Sequence, residues 1–412
     1  NGWIYEPDTL FKDIYKLKSG HFLEFDISKN NKKIEKYWDI RNEVKSRIEI
    51  KDIIKNQTIT DVPFGVYFSG GYDSSIISYV LKDQGLINLN LDLNGSESKR
   101  VDLFKNKFNI KLIKLKPKKN FKDIYDKLIH FMDEPISDPA IVPAYELALK
   151  SKELGIPVML SGMGGDEIDA GYTRHRIILN LYKYKFIRFL PRIATNLMPN
   201  NFKKNILRLK NFMTNAVPAN YFALSSYLSK DEIDSLLKYN WYDSYQKKIE
   251  TITSSFSDEK KFLYLDFIGF LSSHNLIYID KASMASSIEV RVPFLDKNLI
   301  STYFKNINKI NKRKQKARIK SMLKQYLGKH YNETKKEGFS HPIRDFIINQ
   351  VDWIVVCDFF TRNKLLNVET IKKWVQISKE NINLVDMKLL HVYTFYKWIK
   401  TFNVNVNKNI IK

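Results

Sequence analysis

Two short glycine-rich segments that carry carboxylates constrain most strongly what this chain can fold into. The first, SGGYDSS at 69–75, follows the apolar run 62–68 and precedes apolar residues at helical spacing. The second, SGMGGDE at 161–167, follows the apolar run 156–160. Short apolar runs of this kind are typical of buried parallel strands, and ligands bind beyond the carboxyl ends of such strands. Both segments are therefore predicted to lie at one edge of a parallel sheet.

The pattern around these segments predicts the fold class. Strands are predicted at 62–68, 89–93, 110–115 and 156–160, and helices at 73–82, 99–108, 121–132 and 143–154. This alternation indicates an α/β fold with a parallel sheet and right-handed crossovers. After about Tyr172 we expect no further strand, and residues 175–400 are predicted to form a mainly helical C-terminal part. A hairpin is predicted near the start, from 20–27 and 34–38.

Charge and composition bear on the class of protein. The 412 residues include 68 Lys and Arg against 45 Asp and Glu, a net charge of +23 that would suit nucleic acid or an anionic membrane. Lysine is spread along the chain, however, so background enrichment is the alternative, and no nucleic-acid partner is expected. The strongest basic cluster, Lys309 to Lys320, is interpreted as a solvated helix face.

The single cysteine, Cys357, excludes an internal disulfide and a Cys-rich zinc module. No apolar stretch reaches the ~20 residues that a membrane-spanning helix needs, because polar residues interrupt the longest one, at 262–279. A cytoplasmic location and no membrane span are therefore expected.

The segment at 69–75 has the properties of a phosphate-binding loop. Its two glycines let the backbone approach a ligand closely, and free N–H groups at the start of the following helix attract phosphate. Asp73 would repel phosphate unless a cation lies between them, which suggests Mg²⁺. A Walker A loop is excluded, because Gly71 and Tyr72 stand where it needs Lys and then Ser or Thr. An ordinary glycine-rich turn is the alternative.

The segment at 161–167 adds a flexible loop and the carboxylates of Asp166 and Glu167. Two acidic loops at strand ends of one sheet can face each other across a nucleotide, so Asp73 and Asp166 are predicted to share a metal ion. Two further segments are polar: DKASMASSIEVRVPFLD at 280–296, and KKEGFSHP at 335–342. The residues alone leave open whether the former is a salt-bridge network or a site, and a surface charge is the simpler interpretation of the latter.

Together, the order and spacing of these four segments, with RVPFLD at 291–296, resemble the asparagine synthetase family of glutamine-dependent amide ligases. The resemblance covers essentially the whole chain. It implies a synthetase domain at 41–402 of the N-type ATP pyrophosphatase (adenine nucleotide alpha hydrolase-like) kind. It also implies that 1–40 is the C-terminal remnant of a glutaminase domain, and 403–412 is expected to be a flexible tail. The family's nucleophilic cysteine has no counterpart here, and Cys357 is no substitute.

The resemblance implies a reaction and its cofactors, ATP and Mg²⁺. A substrate carboxylate is adenylated with release of pyrophosphate, and ammonia, derived from glutamine in a full-length enzyme, then forms an amide. The implied ATP-binding residues are Phe68, Ser69, Gly70, Gly71, Asp73, Ser74, Ser161 and Gly162. Asp73 and Asp166 would hold Mg²⁺.

The resemblance also implies two catalytic residues. Lys336 would stabilise the adenylating transition state, and Glu289 would accept a proton from the attacking amine. A slip of one residue to Lys335, and an ion pair of Glu289 with Arg291 or Lys281, are the alternatives.

The chain departs from the family pattern at several loop positions. Met163 stands where asparagine synthetases usually carry an acidic residue that helps to form the aspartyl-adenylate, which weakens aspartate as the substrate in favour of a sugar, a peptide or another acid. Substrate binding is assigned to Glu167, Met163 and Arg291. Tyr72, Asp169 and Ala170 are interpreted as tolerated loop variation.

Three functions are compatible with these motifs. The first is a glutamine-dependent amidotransferase, either an asparagine synthetase or a close relative that acts in surface-polysaccharide or secondary metabolism. A homodimer is considered as its oligomeric state. The second is an amide-forming cyclase of the same fold. The third is a tRNA-modifying pyrophosphatase, which the 291–296 string disfavours.

Overall fold

The computed structural model of the chain describes residues 2–42, 49–92, 98–118, 120–175, 221, 225–237, 247, 249–251, 253–306, 316–333, 343–380 and 385–405. Its strands are β1 His21–Asp26, β2 Asn31–Lys36, β3 Phe64–Tyr67, β4 Ile87–Leu91, β5 Lys111–Leu115, β6 Val158–Leu160 and β7 Glu289–Arg291. Two predictions from the sequence concern residues outside the described ones: the catalytic role of Lys336, and the flexible tail beyond residue 405.

The described α-helices before β7 are α1 Ile50–Asn56, α2 Tyr72–Val80, α3 Ser98–Phe108, α4 Phe121–Ile129, α5 Ile141–Glu153, α6 Gly165–Ile168, α7 Lys230–Leu237, α8 Asp258–Leu265 and α9 Leu276–Met284. Those after β7 are α10 Lys297–Lys305, α11 Ala317–Leu327, α12 Trp353–Asn363, α13 Val368–Lys379 and α14 Asp386–Phe402. A π-helical stretch, Asp266–Asn275, joins α8 to α9.

Five strands form one parallel sheet in the order β5-β4-β3-β6-β7. The four strands predicted from apolar runs are confirmed, as are the α/β class and the mainly helical C-terminal part. The expectation of no strand after Tyr172 is wrong, because β7 pairs with β6 and sets Arg291 opposite Leu160. Three residues are too few to show a strand period, and β7 forms because the free edge of β6 needs hydrogen-bond partners.

The central strand β3 is buried on both faces, as its continuous apolar run predicts. Val66 and Phe68 face the core that contains α2 and α3, whereas Tyr67 faces α5. A second large core joins α4, α5 and the C-terminal helices α12, α13 and α14. The sheet is thus covered on both sides.

The N-terminal residues form a separate small sheet and a contact with the long helix. The predicted hairpin is confirmed, with β1 and β2 antiparallel and His21 opposite Lys36. Upstream of it, the Trp3 ring lies 5.6 Å from the Phe270 ring and 4.9 Å from the His274 ring. The N-terminal segment therefore packs against the helix that contains α8 and α9.

One helix among the described residues, Lys260–Met284, is long and apolar enough to cross a membrane by length and composition. The most apolar 18-residue segment of this helix is 56% buried within the fold. It carries the buried Asp266, which pairs with Arg174 at 2.9 Å and also contacts His175. Burial opposes the charge, but these two partners lower the pKa of Asp266 to about 2. The helix is a core element with an internal ion pair, so its composition is weak support for a membrane span.

Candidate active site

A cavity of about 690 Å³ opens at the carboxyl ends of β3, β4 and β6, a size that suits a small-molecule ligand. Its walls come from the β3–α2 loop, the β6–α6 loop, α5 and the helix that continues from the π-helical stretch into α9. Seven of the eight predicted ATP-binding residues line it: Phe68, Ser69, Gly71, Asp73, Ser74, Ser161 and Gly162. Asp166, Glu167 and Met163 also line it. The structure therefore brings both glycine-rich loops to one place.

The β3–α2 loop is shaped by its own hydroxyl groups. The Ser69 hydroxyl accepts a hydrogen bond from the Gly71 N–H at 3.1 Å and lies 3.1 Å from the Ser74 hydroxyl. Gly70 has a φ of +83°, a left-handed conformation that a side chain would disfavour. The loop leads into the first turn of α2, whose free N–H groups and dipole attract anions.

Arg100 holds this loop from behind. It is fully buried, and its guanidinium donates to the Gly70 carbonyl at 2.7 Å and to the Asn332 carbonyl at 3.0 Å. Its guanidinium also lies 4.3 Å from the centre of the Tyr72 ring. Tyr72 is therefore part of the support of the loop.

The β6–α6 loop approaches the first loop so closely that a side chain would not fit. A Cβ added to Gly162 would lie 2.7 Å from the Ser74 backbone nitrogen and 2.9 Å from Asp73 Cβ. This approach brings the carboxylates of Asp73 and Asp166 to a single cation, the ammonium of Lys316.

Lys316 lines the cavity, although the sequence did not indicate it as a site residue. Its ammonium pairs with both carboxylates, with Asp73 Oδ2 in a short contact and with Asp166 Oδ1 at 2.9 Å. Burial alone would lower the pKa of this amine, but the two carboxylates hold it above its ordinary value. Lys316 is buried, so the interpretation of 309–320 as a solvated face is wrong at this position. The only signal was its place at the start of the helical pattern at 316–326.

Asp169 positions Lys316. Its carboxylate accepts from the backbone N–H groups of Arg318 and Ile319, both at 2.9 Å, and its carbonyl accepts from the Lys316 N–H at 3.1 Å. Burial raises the pKa of Asp169 to about 6, opposed by these N–H groups. It thus caps the start of α11 and connects it to the end of α6.

The two carboxylates fit Mg²⁺ that arrives with a nucleotide. Asp73 and Asp166 already converge on one positive charge. Among the described residues there is no cluster of three or more His, Cys, Asp or Glu side chains able to hold a metal alone. Mg²⁺ is commonly held by one or two carboxylates together with substrate phosphates, and this is the ligand set that the cavity offers.

Glu167 lies deeper in the wall. Its carboxylate accepts from the Tyr172 hydroxyl at 2.7 Å and from the Asn275 amide at 3.2 Å. Burial, and then the charge of Asp166, raise the pKa of Glu167 to about 7. Met163 packs against the core that contains Tyr278, so it contributes an apolar contact to the wall of the cavity.

Glu289 and Arg291 are not brought to the cavity. Glu289 is the first residue of β7, opposite the first residue of β6, and its carboxylate pairs with Arg291 at 2.7 Å. The Arg291 guanidinium also donates to the carbonyls of Gln57 and Ile59, at 2.9 and 2.8 Å. Neither residue lines the cavity. The ion pair considered as the alternative is present, and the catalytic role of Glu289 and the substrate-binding role of Arg291 stay predictions.

Comparisons with known proteins show the family to which the chain belongs. The asparagine synthase family model matches residues 45–381. Asparagine synthetase [glutamine-hydrolyzing] 1 of Bacillus subtilis is 29% identical over 328 residues, which are 75% of this chain and 51% of that protein. A putative asparagine synthetase [glutamine-hydrolyzing] of Mycobacterium tuberculosis is 23% identical over 375 residues, 84% of this chain and 57% of that protein.

A putative asparagine synthetase [glutamine-hydrolyzing] 2 of Methanocaldococcus jannaschii is 31% identical over 211 residues, 46% of this chain and 40% of that protein. The chain thus spans about half the length of the curated relatives that it matches. The family model covers most of the chain, from before α1 to beyond α13. The parallel sheet and the two glycine-rich loops of the chain are consistent with this match. The chain belongs to the asparagine synthase family and has the ATP pyrophosphatase fold.

Proposed function

We propose that this chain adenylates a substrate carboxylate with ATP, releases pyrophosphate, and forms an amide with ammonia. One observation carries the proposal: Asp73, Asp166 and Lys316 meet at the start of α2, in a cavity that the phosphate loop borders. The loop would bind the β- and γ-phosphates, and Lys316 would offset the charge that develops on pyrophosphate as it leaves. Asp73 and Asp166 would hold Mg²⁺, which supplies further neutralisation of phosphate charge.

The other residues have positioning tasks in this proposal. Arg100 and Asp169 fix the phosphate loop and Lys316, so little reorganisation is needed when charge develops. Phe68 and Gly162 would contact the nucleotide mainly through their backbone. Ammonia would come from glutamine in a full-length protein, with residues 1–40 as the end of a glutaminase domain, and the names of the relatives support this.

The products of ATP cleavage test the proposal directly. With Mg²⁺, ammonia and a carboxylate panel that includes aspartate, we expect AMP and pyrophosphate in equal amounts. Chromatography of the nucleotide and a coupled pyrophosphate assay would measure both. Formation of ADP and phosphate would contradict the proposal, because a chain that cleaves the terminal phosphate does not adenylate.

Lys336 remains the proposed catalytic lysine, and its neighbour provides the control. We expect Lys336→Ala to lower pyrophosphate release about a hundredfold or more, because a positive charge at the reacting carboxylate is lost. Lys335→Ala removes the same charge one residue earlier and should have an effect of less than about threefold. The reverse order of the two effects would assign the role to Lys335.

A further inference from the structure

The ammonium of Lys316 lies on the same carboxylates that are proposed to hold Mg²⁺. It contacts Asp73 Oδ2 and lies 2.9 Å from Asp166 Oδ1. All three side chains are at most 15% exposed, so solvent screens their charges only weakly. Mg²⁺ binds carboxylate oxygens at about 2.0–2.1 Å and would need these same groups. The chain therefore supplies its own cation at the place of the metal.

This cluster of three charged side chains is closely packed on the side away from the cavity. A Cβ added to Gly171 would lie 2.6 Å from Lys316 Cε and would overlap Asp166 Oδ1, and a Cβ added to Gly165 would overlap Asp73 Oδ1. Neither glycine lines the cavity, whereas all three charged residues do. A metal ion thus approaches the carboxylates from the cavity side and meets the ammonium there. Two cations in one poorly screened place repel each other, so the carboxylates hold the ammonium or the metal, but not both.

The Lys316 side chain can leave the carboxylates without a change in the backbone. The Lys316 N–H donates to the Asp169 carbonyl at 3.1 Å, and the next turn of α11 is capped by the Asp169 carboxylate. Rotation about the side-chain bonds is therefore enough to move the ammonium within the cavity, which the phosphate loop borders. Phosphate oxygens at that loop would give the ammonium a new charged partner. A metal ion alone brings no such partner.

We propose that Lys316 is a built-in counterion that excludes Mg²⁺ from Asp73 and Asp166 until a nucleotide binds. The inference rests on the proposed function, in which these two carboxylates hold the metal. When the phosphates arrive, the ammonium transfers to the phosphate oxygens and leaves both carboxylates to the metal. The phosphates bring the negative charge that the additional cation needs. Nucleotide and metal therefore bind with positive coupling.

Mn²⁺ binding to the full chain without nucleotide tests this inference. Mn²⁺ prefers the same oxygen ligands as Mg²⁺, and equilibrium dialysis measures the ion that the protein holds. We expect wild type to bind Mn²⁺ weakly. Lys316→Ala should lower the dissociation constant at least about tenfold, because a like charge is removed from the metal position. The readout is metal binding, since a metal ion does not replace the missing ammonium at the phosphates.

Two further variants assign the gain to this site. Lys324→Ala removes an exposed lysine from the same helix and should bind Mn²⁺ as wild type does. The double variant Lys316→Ala/Asp166→Asn lacks one proposed ligand and should lose the gain. If Lys316→Ala does not fold, Lys316→Gln provides the same test, because its longer side chain fills more of the space and carries no charge.

Thermal unfolding gives an independent measurement. A ligand that binds the folded state raises the melting temperature. Without nucleotide, Mg²⁺ should therefore raise the melting temperature of Lys316→Ala and leave that of wild type nearly unchanged. With α,β-methylene-ATP, which resists cleavage between the α- and β-phosphates, dialysis should show that wild type also holds Mn²⁺.

The outcomes separate the inference from the function on which it rests. Equal Mn²⁺ affinity of wild type and Lys316→Ala without nucleotide would overturn the inference, and AMP and pyrophosphate formation would still support the adenylating function. A gain that persists in the double variant would also overturn it, because the ion would then bind elsewhere. If wild type holds no Mn²⁺ even with α,β-methylene-ATP, the metal role of the two carboxylates and the inference fail together. ADP formation in the product assay would overturn the proposed function by a separate measurement.

Discussion

Lys316→Ala is expected to lower ATP-dependent pyrophosphate release about a thousandfold, near the upper end for loss of one preorganised charge at a reacting centre. Lys316 is the cation on which Asp73 and Asp166 converge. Without it, two carboxylates face each other in a buried place, and incoming phosphates meet net negative charge. Both nucleotide binding and the chemical step should therefore suffer. Steady-state assays of pyrophosphate release over a range of ATP concentrations would measure the loss.

Lys324→Ala is the matched control, because this exposed lysine lies on the same helix, α11. Its activity should stay within about twofold of wild type. Lys316→Arg should recover little, because a planar guanidinium does not replace a compact ammonium between two carboxylates. Activity of Lys316→Ala within tenfold of wild type would show that the lysine is a structural counterion only, and that another group meets the phosphates.

Gly162→Ala is expected to lower activity about a hundredfold with a modest loss of stability. The added Cβ would lie 2.7 Å from the Ser74 backbone nitrogen. That neighbour is main chain at the start of α2, so it cannot rotate away, and the loop must move. A shift of about 1 Å in a positioned group can cost about a hundredfold in rate. Activity assays and thermal unfolding of the same preparations would measure both effects.

Gly155→Ala is the control that separates the effect of backbone strain from the effect of steric overlap in Gly162→Ala. Gly155 has a φ of +69° and would bring its Cβ within 4 Å of no other group. Its substitution strains the backbone by about 1 kcal/mol without moving the site. We expect a lower melting temperature and nearly normal activity. If Gly155→Ala and Gly162→Ala lose activity equally, the close approach of the two loops is not the cause.

The strands and loops that carry the site were predictable because their signals are local. A continuous apolar run fixed β3 as a buried strand, and glycines with hydroxyl groups after it indicated a phosphate loop. The same reasoning at 156–160 indicated β6 and a second loop at the same sheet edge. Parallel strands place their carboxyl ends together, so the meeting of the two loops followed from topology alone.

Polar residues whose partners are distant in the chain were not predictable in this way. Lys316 lies in a basic stretch that has the composition of an exposed face, and only the packing of α11 against α2 buries it beside Asp73, 243 residues away. Asp169 has no local sign of its task as the cap of α11. Glu289, predicted to accept a proton in catalysis, lies on β7 beside β6 and forms an ion pair with Arg291.

The sequence by itself determined the α/β class, the family resemblance and the two acidic glycine-rich loops, because period, turn chemistry and motif spacing are properties of neighbouring residues. Only the tertiary structure decided which charges meet. It joined Lys316 to Asp73 and Asp166, and it buried Glu167 beside Tyr172 and Asn275. Electrostatic interactions depend on distance and burial, and residues far apart in the chain acquire both only when the core packs.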